Sequence, residues 1–149
     1  MNSVLVLYAR FEKILQTFSP AVDLAIRFYI AWVFFKSGLL KIQSWESTLA
    51  LFEYEFAVPL LSPAVAASLS TAAELGLPVL LALGLAGRFA ALALFAFNVI
   101  AVISYPDLSD VGRQQHLYWG KLLAMLAVHG PGRFSADGWF AHRCKACPP

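Results

Sequence analysis

Four polar side chains stand inside the long apolar runs of this 149-residue chain: Arg27, Glu74, Asn98 and Lys121. Ionisable groups at membrane depth are costly, so they tend to face a bundle interior and to mark ion pathways, proton relays or ligand counter-charges. Two cations, a carboxylate and an amide brought together would make a polar site in an otherwise apolar interior. A plainer reading gives the same residues a structural role, with an Arg27–Glu74 ion pair that sets helix register. Pro78 bears on this choice. It cannot donate to the carbonyl four residues back, that of Glu74, and so frees an acceptor beside the carboxylate. Membrane helices tolerate such a notch where protein groups, water or a ligand satisfy it.

Three further groups carry chemical potential. His116, beside Tyr118 and Trp119, is placed to act at an outer mouth as a proton-transfer group or quinone-headgroup ligand; the alternative is an interfacial belt residue among aromatics. A bis-histidine haem needs histidines at similar depth on different helices, whereas His116 and His129 fall at opposite ends of one helix. The tail carries His142, Cys144 and Cys147, a lone CxxC able to bind copper or zinc or to exchange disulfides. The sequence offers no flavin or nucleotide fingerprint and no iron–sulfur cysteine set. Electron transfer would therefore require a bound quinone or a partner subunit.

The elements that must position these residues follow from composition. Sixty per cent of the residues are hydrophobic and 13% charged, and mean hydropathy is +0.69. A soluble domain usually carries about a quarter charged residues. The net charge of +2 is too small to suggest a nucleic-acid partner. A membrane-spanning helix needs roughly 20 mostly apolar residues, and four candidates meet or approach that length. They run over 21–40, opened by Ser19-Pro20; 64–84, opened by Ser62-Pro63; 88–104, ended by Tyr105-Pro106-Asp107; and 115–129, ended by Gly130-Pro131-Gly132. The expected fold is all-α, a polytopic membrane four-helix bundle. Residues 45–56, with Trp45, Leu49, Phe52 and Phe56 on one face, and the stretch with Leu7, Phe11, Ile14, Leu15 and Phe18 read as amphipathic interfacial segments. The N-terminus has no basic n-region and no small-residue cleavage site, so it reads as uncleaved.

Charge placement predicts orientation. Arg10, Lys13, Arg88, Arg133, Arg143 and Lys145 fall on the side of the termini, while the opposite side is mainly acidic. The positive-inside rule then puts both termini in the cytoplasm. Counted at about 1.5 Å per residue from that side, Arg27 lies roughly 9 Å deep, Glu74 and Asn98 roughly 15 Å and Lys121 roughly 12 Å. These depths predict one cluster of all four.

The residues also resemble the DoxX family of small bacterial membrane proteins. The likeness rests on Arg27 through Lys41 with its Gly38-x-x-Lys41 exit, on Glu74-Leu-Gly76 followed by Leu83-Gly84-Leu-Ala-Gly87-Arg88, and on His116 through Asp137 with its Gly-Pro-Gly…Ser135-x-Asp137 ending. It implies a membrane domain over 19–137, between an N-terminal segment over 1–18 and a basic CxxC tail over 138–149. It further implies a bacterial inner-membrane location and a recurrent link to redox chemistry, as a quinone-interacting or accessory subunit of a redox, oxidative-stress or metal-stress system. The expected partners are the lipid bilayer and other membrane or redox and metal-stress proteins, and a homo-oligomer is compatible with the chain. Two other classes compete: a small transporter component in which Glu74 and Pro78 line a pathway, and a purely structural assembly partner.

Overall fold

A computed structural model describes residues 2–145 except 57, 59, 131 and 133, without the side chains of 2, 3, 141, 142, 144 and 145. Among these residues six helices follow one another: α1 (Asn2–Gln43), α2 (Trp45–Tyr54), α3 (Pro63–Leu83), α4 (Gly87–Ser104), α5 (Asp110–His129) and α6 (Ala136–Lys145). No strand occurs among the described residues. Among the described residues three helices, α1, α3 and α4, are long and apolar enough to cross a membrane. The fourth expected span, α5, has 20 residues but carries Asp110, Arg113, His116, Lys121 and His129. It nevertheless runs antiparallel to α4 along its length: His116 bonds Asn98, and Gly130 sits against Arg88. Its depth is therefore that of α4, and the architecture is a four-helix membrane bundle.

Two boundaries differ from expectation for local reasons. Ser19-Pro20 does not start a helix, because α1 runs unbroken through Pro20. Proline removes one donor and fits helical φ, and the residues before it already favour a helix, so one lost bond does not end it. The 42 residues of α1 make a rod of about 63 Å, twice the hydrocarbon thickness of about 30 Å. Helix α5 begins five residues earlier than expected, since the Ser109 hydroxyl caps it by accepting from the Gly112 amide at 3.2 Å.

Packing is tightest where small residues meet. A Cβ on Gly38 would lie 2.9 Å from Leu75 Cδ2 and 3.1 Å from Glu74 Cβ, so glycine lets α1 approach α3. Ile30, Leu81, Ala90, Leu94, Leu123 and Leu126 form a buried core between α1, α3, α4 and α5. Helix α2 lies across the opposite end, where Phe52 packs on Ala66 and Ala67 of α3. The end holding the α3–α4 turn is called the base below, and the end beneath α2 the mouth.

Candidate functional site

The antiparallel register of α1 and α3 decides which charges meet. It sets Lys41 against Ser70, Gly38 against Leu75 and Arg27 against Ala82. Glu74 therefore pairs with Lys41, Nζ to Oε2 at 2.8 Å. Ser37 donates to Glu74 Oε1 at 3.3 Å, and Lys41 also donates to Ser70 Oγ at 2.8 Å. The carboxylate is buried and its lysine nearly so.

This pair edges a cavity of about 630 Å³ at the mouth, within the range of small-molecule sites. Its walls are mostly apolar or aromatic, including Phe52, Phe56 and Phe97, while Ser37, Ser70, Ser104 and His116 add polar points. The Ser104 hydroxyl is buried and has no hydrogen-bond partner among the described residues. A buried unmet hydroxyl carries a desolvation cost, which a bound polar group would relieve. Helix α2 covers the cavity through an aromatic stack: Phe52 on Phe56 at 4.7 Å and Phe56 on Tyr105 at 4.9 Å. The Tyr105 hydroxyl donates to Glu55 at 2.6 Å, which ties the end of α2 to the end of α4. That bond to a carboxylate raises the Tyr105 pKa above its ordinary value.

Arg27 lies elsewhere. It is buried at the base and donates to the Ala82 carbonyl at 2.9 Å, two turns and roughly 12 Å along α3 from Glu74. Asp23 and Asp137 act on it electrostatically. Asp137 also closes the base. Its carboxylate accepts from the Ala86 and Gly87 amides, both at 2.9 Å, at the start of α4, where a negative group is favoured. Ser135 packs on Gly84, whose φ of +65° suits glycine.

Asn98 and His116 form a third unit. The Asn98 amide nitrogen donates to the His116 carbonyl at 2.9 Å, which leaves its oxygen to accept from His116 Nδ1 at 2.8 Å. The other ring nitrogen of a neutral His116 is then an acceptor. Lys121 joins none of these groups. It is exposed on α5 with Nζ 5.7 Å from the Tyr118 ring centre. The four residues of the expected single cluster thus occupy four separate places. Depth counted from the start of an apolar run ignores register, and register alone selects partners. Pro78 is buried inside an unbroken α3, and the pocket beside it is apolar, lined by Phe28, Trp32, Phe35 and Val79 among others.

The sequence does not single out Lys41 and Ser37 as partners of Glu74, or Ser70 as a partner of Lys41; the usable signal is that Arg27, Gly38 and Lys41 share one face of α1 at helical spacing. Of the tail residues, Cys147 and the side chains of His142 and Cys144 lie outside the described residues. Among the described residues no group of three His, Cys, Asp or Glu could hold a metal.

A family model described as DoxX matches residues 22–106. This stretch contains Arg27, Lys41, Glu74 and Asn98 and stops short of α5. An uncharacterized protein of Haemophilus influenzae is 31% identical over 121 residues, covering 76% of this chain and 80% of that protein. No solved structure matches the chain.

Proposed function

The chain belongs to the DoxX family, and on that premise we propose that it is an inner-membrane subunit of a redox or stress-response system that holds a quinone-type amphipath in the mouth cavity. The observation that carries this reading is the cavity itself: apolar and aromatic walls meet a buried Glu74–Lys41 pair and an unmet Ser104 hydroxyl. A ring with two carbonyl or hydroxyl groups suits such a site. The rings of Phe52 and Phe97 offer it faces, while Lys41, Ser70 and Ser104 offer donors and Glu74 an acceptor. His116 borders the same cavity with an acceptor nitrogen and is the group suited to exchange a proton with a hydroxyl there. The chain would contribute binding and proton handling, and a partner subunit the electrons.

A permease reading finds less support. Below the cavity the bundle is filled by Ile30, Leu81, Leu94 and Leu123, each at most 1% exposed, and closed by the Asp137 clasp.

The test is to purify the protein in mild detergent and quantify extracted quinones by mass spectrometry. Wild type is expected to retain quinone near one per chain, and Glu74→Gln to retain at least tenfold less while staying monodisperse. A wild-type protein free of quinone, or a Glu74→Gln protein that keeps it, overturns the reading. Both termini are proposed to be cytoplasmic. An impermeant thiol reagent on intact cells is then expected to miss Cys144 and Cys147, the chain's two cysteines, and labelling from outside reverses the orientation.

A further inference from the structure

The outer face of the α4–α5 hairpin holds a second concavity, of about 790 Å³, separate in its use from the mouth cavity. Its α4 wall is mainly apolar, with Phe95, Val99, Val102 and Ile103, and its one polar residue, Asn98, is already bonded to His116. Ile103 is 71% exposed and, across the groove, Leu117 of α5 is 58% exposed. Lys121 borders it on α5, and Asp110 and Arg113 border it near the mouth.

Lys121 is out of place for a residue facing lipid. Along α5 it stands eight residues from His129 and eleven from Asp110, which is about 12 Å from the base end and about 16 Å from the mouth end. A lysine at such depth usually snorkels to the nearer headgroups. This one does the opposite. Helical side chains lean toward the N-terminus of their helix, which for α5 is the mouth, and the Lys121 ammonium lies over Tyr118, one turn farther from the nearer surface. It makes no ion pair among the described residues. The charged residues sharing its groove are Arg113, a like charge, and Asp110, about 16 Å along the helix. No charged residue of α4 borders the groove.

We propose that this groove docks a membrane-spanning helix of a different protein, with a carboxylate placed opposite Lys121. A phospholipid fills an apolar groove with its acyl chain but keeps its phosphate at the surface, about a dozen ångströms from this ammonium. A second copy of this chain offers no suitable acid either. Of its nine Asp and Glu residues, only Glu74 lies deep in a span, and it is buried against Lys41. A foreign carboxylate satisfies the charge, and the apolar wall supplies the packing area on which helix association in lipid depends. The same contact would shield an α5 that is too polar to face lipid unassisted. This inference does not depend on what occupies the mouth cavity.

The test places the photo-crosslinking residue p-benzoylphenylalanine at Ile103, on the rim of the groove, in the full-length protein in its native membrane. After irradiation, adducts are digested and identified by mass spectrometry. The expected adduct is with a membrane-spanning peptide that contains Asp or Glu. It is expected to fall at least tenfold in Lys121→Glu, persist in Lys121→Arg, and return when the partner's carboxylate is changed to lysine. Adducts with lipid alone, adducts with a second copy of the chain, a peptide adduct indifferent to Lys121→Glu, or loss in Lys121→Arg as well would each overturn the proposal.

Discussion

The base and the mouth of the bundle carry comparable charge and treat it in opposite ways. At the base, Arg27 is 2% exposed, spends a hydrogen bond on the Ala82 carbonyl and sits among Asp23 and Asp137. Asp137 in turn caps α4, and Ser135 fills the space over Gly84. These polar groups engage fixed backbone or side-chain groups, and the pocket beside Ala82 is smaller, about 260 Å³, and lined by apolar residues. At the mouth, Glu74 and Lys41 satisfy one another but stand beside about 630 Å³ of space and a hydroxyl without a partner among the described residues. Buried charge by itself is thus a poor guide to function in this protein. What separates the two ends is whether packing closes over the charge or leaves room beside it.

Substitutions test that distinction, beginning with the largest effect. Arg27→Met is expected to cost about 3 kcal/mol, because it strips the Ala82 carbonyl of its charged donor and leaves Asp23 and Asp137 without their cation. Unfolding in detergent would measure it, and a cost below that of Glu74→Gln would break the comparison. Gly84→Ala is expected to cost about 2 kcal/mol, since a side chain at φ +65° is strained and its Cβ would clash with Ser135 Cβ. Both base variants are expected to keep any mouth ligand. Asp137→Asn should follow with about 1 kcal/mol, the usual worth of a charged cap, read as a lower melting temperature.

Mouth substitutions should invert the pattern. Glu74→Gln is expected to cost less than Arg27→Met, about 1 kcal/mol, because the amide oxygen still accepts from Ser37 and the Lys41 ammonium keeps its bond to Ser70. Its effect belongs to ligand retention. The smallest effect concerns the cover. Tyr105 is expected to ionise above its ordinary pKa, by ultraviolet titration, and to return toward it in Glu55→Gln. A raised pKa means the latch stabilises the fold below the ordinary tyrosine pKa and loses that contribution as pH climbs through the raised one. An unchanged titration would show that α2 is not held by this bond.

The elements were largely readable from the chain. Apolar runs and their Ser-Pro and Gly-Pro boundaries located α3, α4 and the end of α5 within a residue or two, because lipid forces every span to satisfy its backbone internally. The misreadings were also physical. Pro20 resembled a helix start because proline fits both the first turn and, at the loss of one bond, a helix interior. The early start of α5 was signalled by Ser109-Asp110, a capping residue and a first-turn acid, but was obscured by Arg113, Gln114 and Gln115.

The site was readable only in part. Residue type and depth singled out Arg27, Glu74, Asn98 and Lys121, since a charge in an apolar run demands an explanation. Which of them meet depends on the sliding register of one helix against another, and that is set by contacts such as Gly38 on Leu75 that no single helix encodes. Arg27 and Lys41 stand about 21 Å apart along α1, so Glu74 can meet only one of them, and the register selects Lys41. By itself the sequence determined that this is a membrane bundle with charges it must shelter, because hydropathy and backbone satisfaction are local properties. Only the tertiary structure decided that one charge is sealed in the base, another opens on a cavity and a third faces outward, because packing between helices is not a local property.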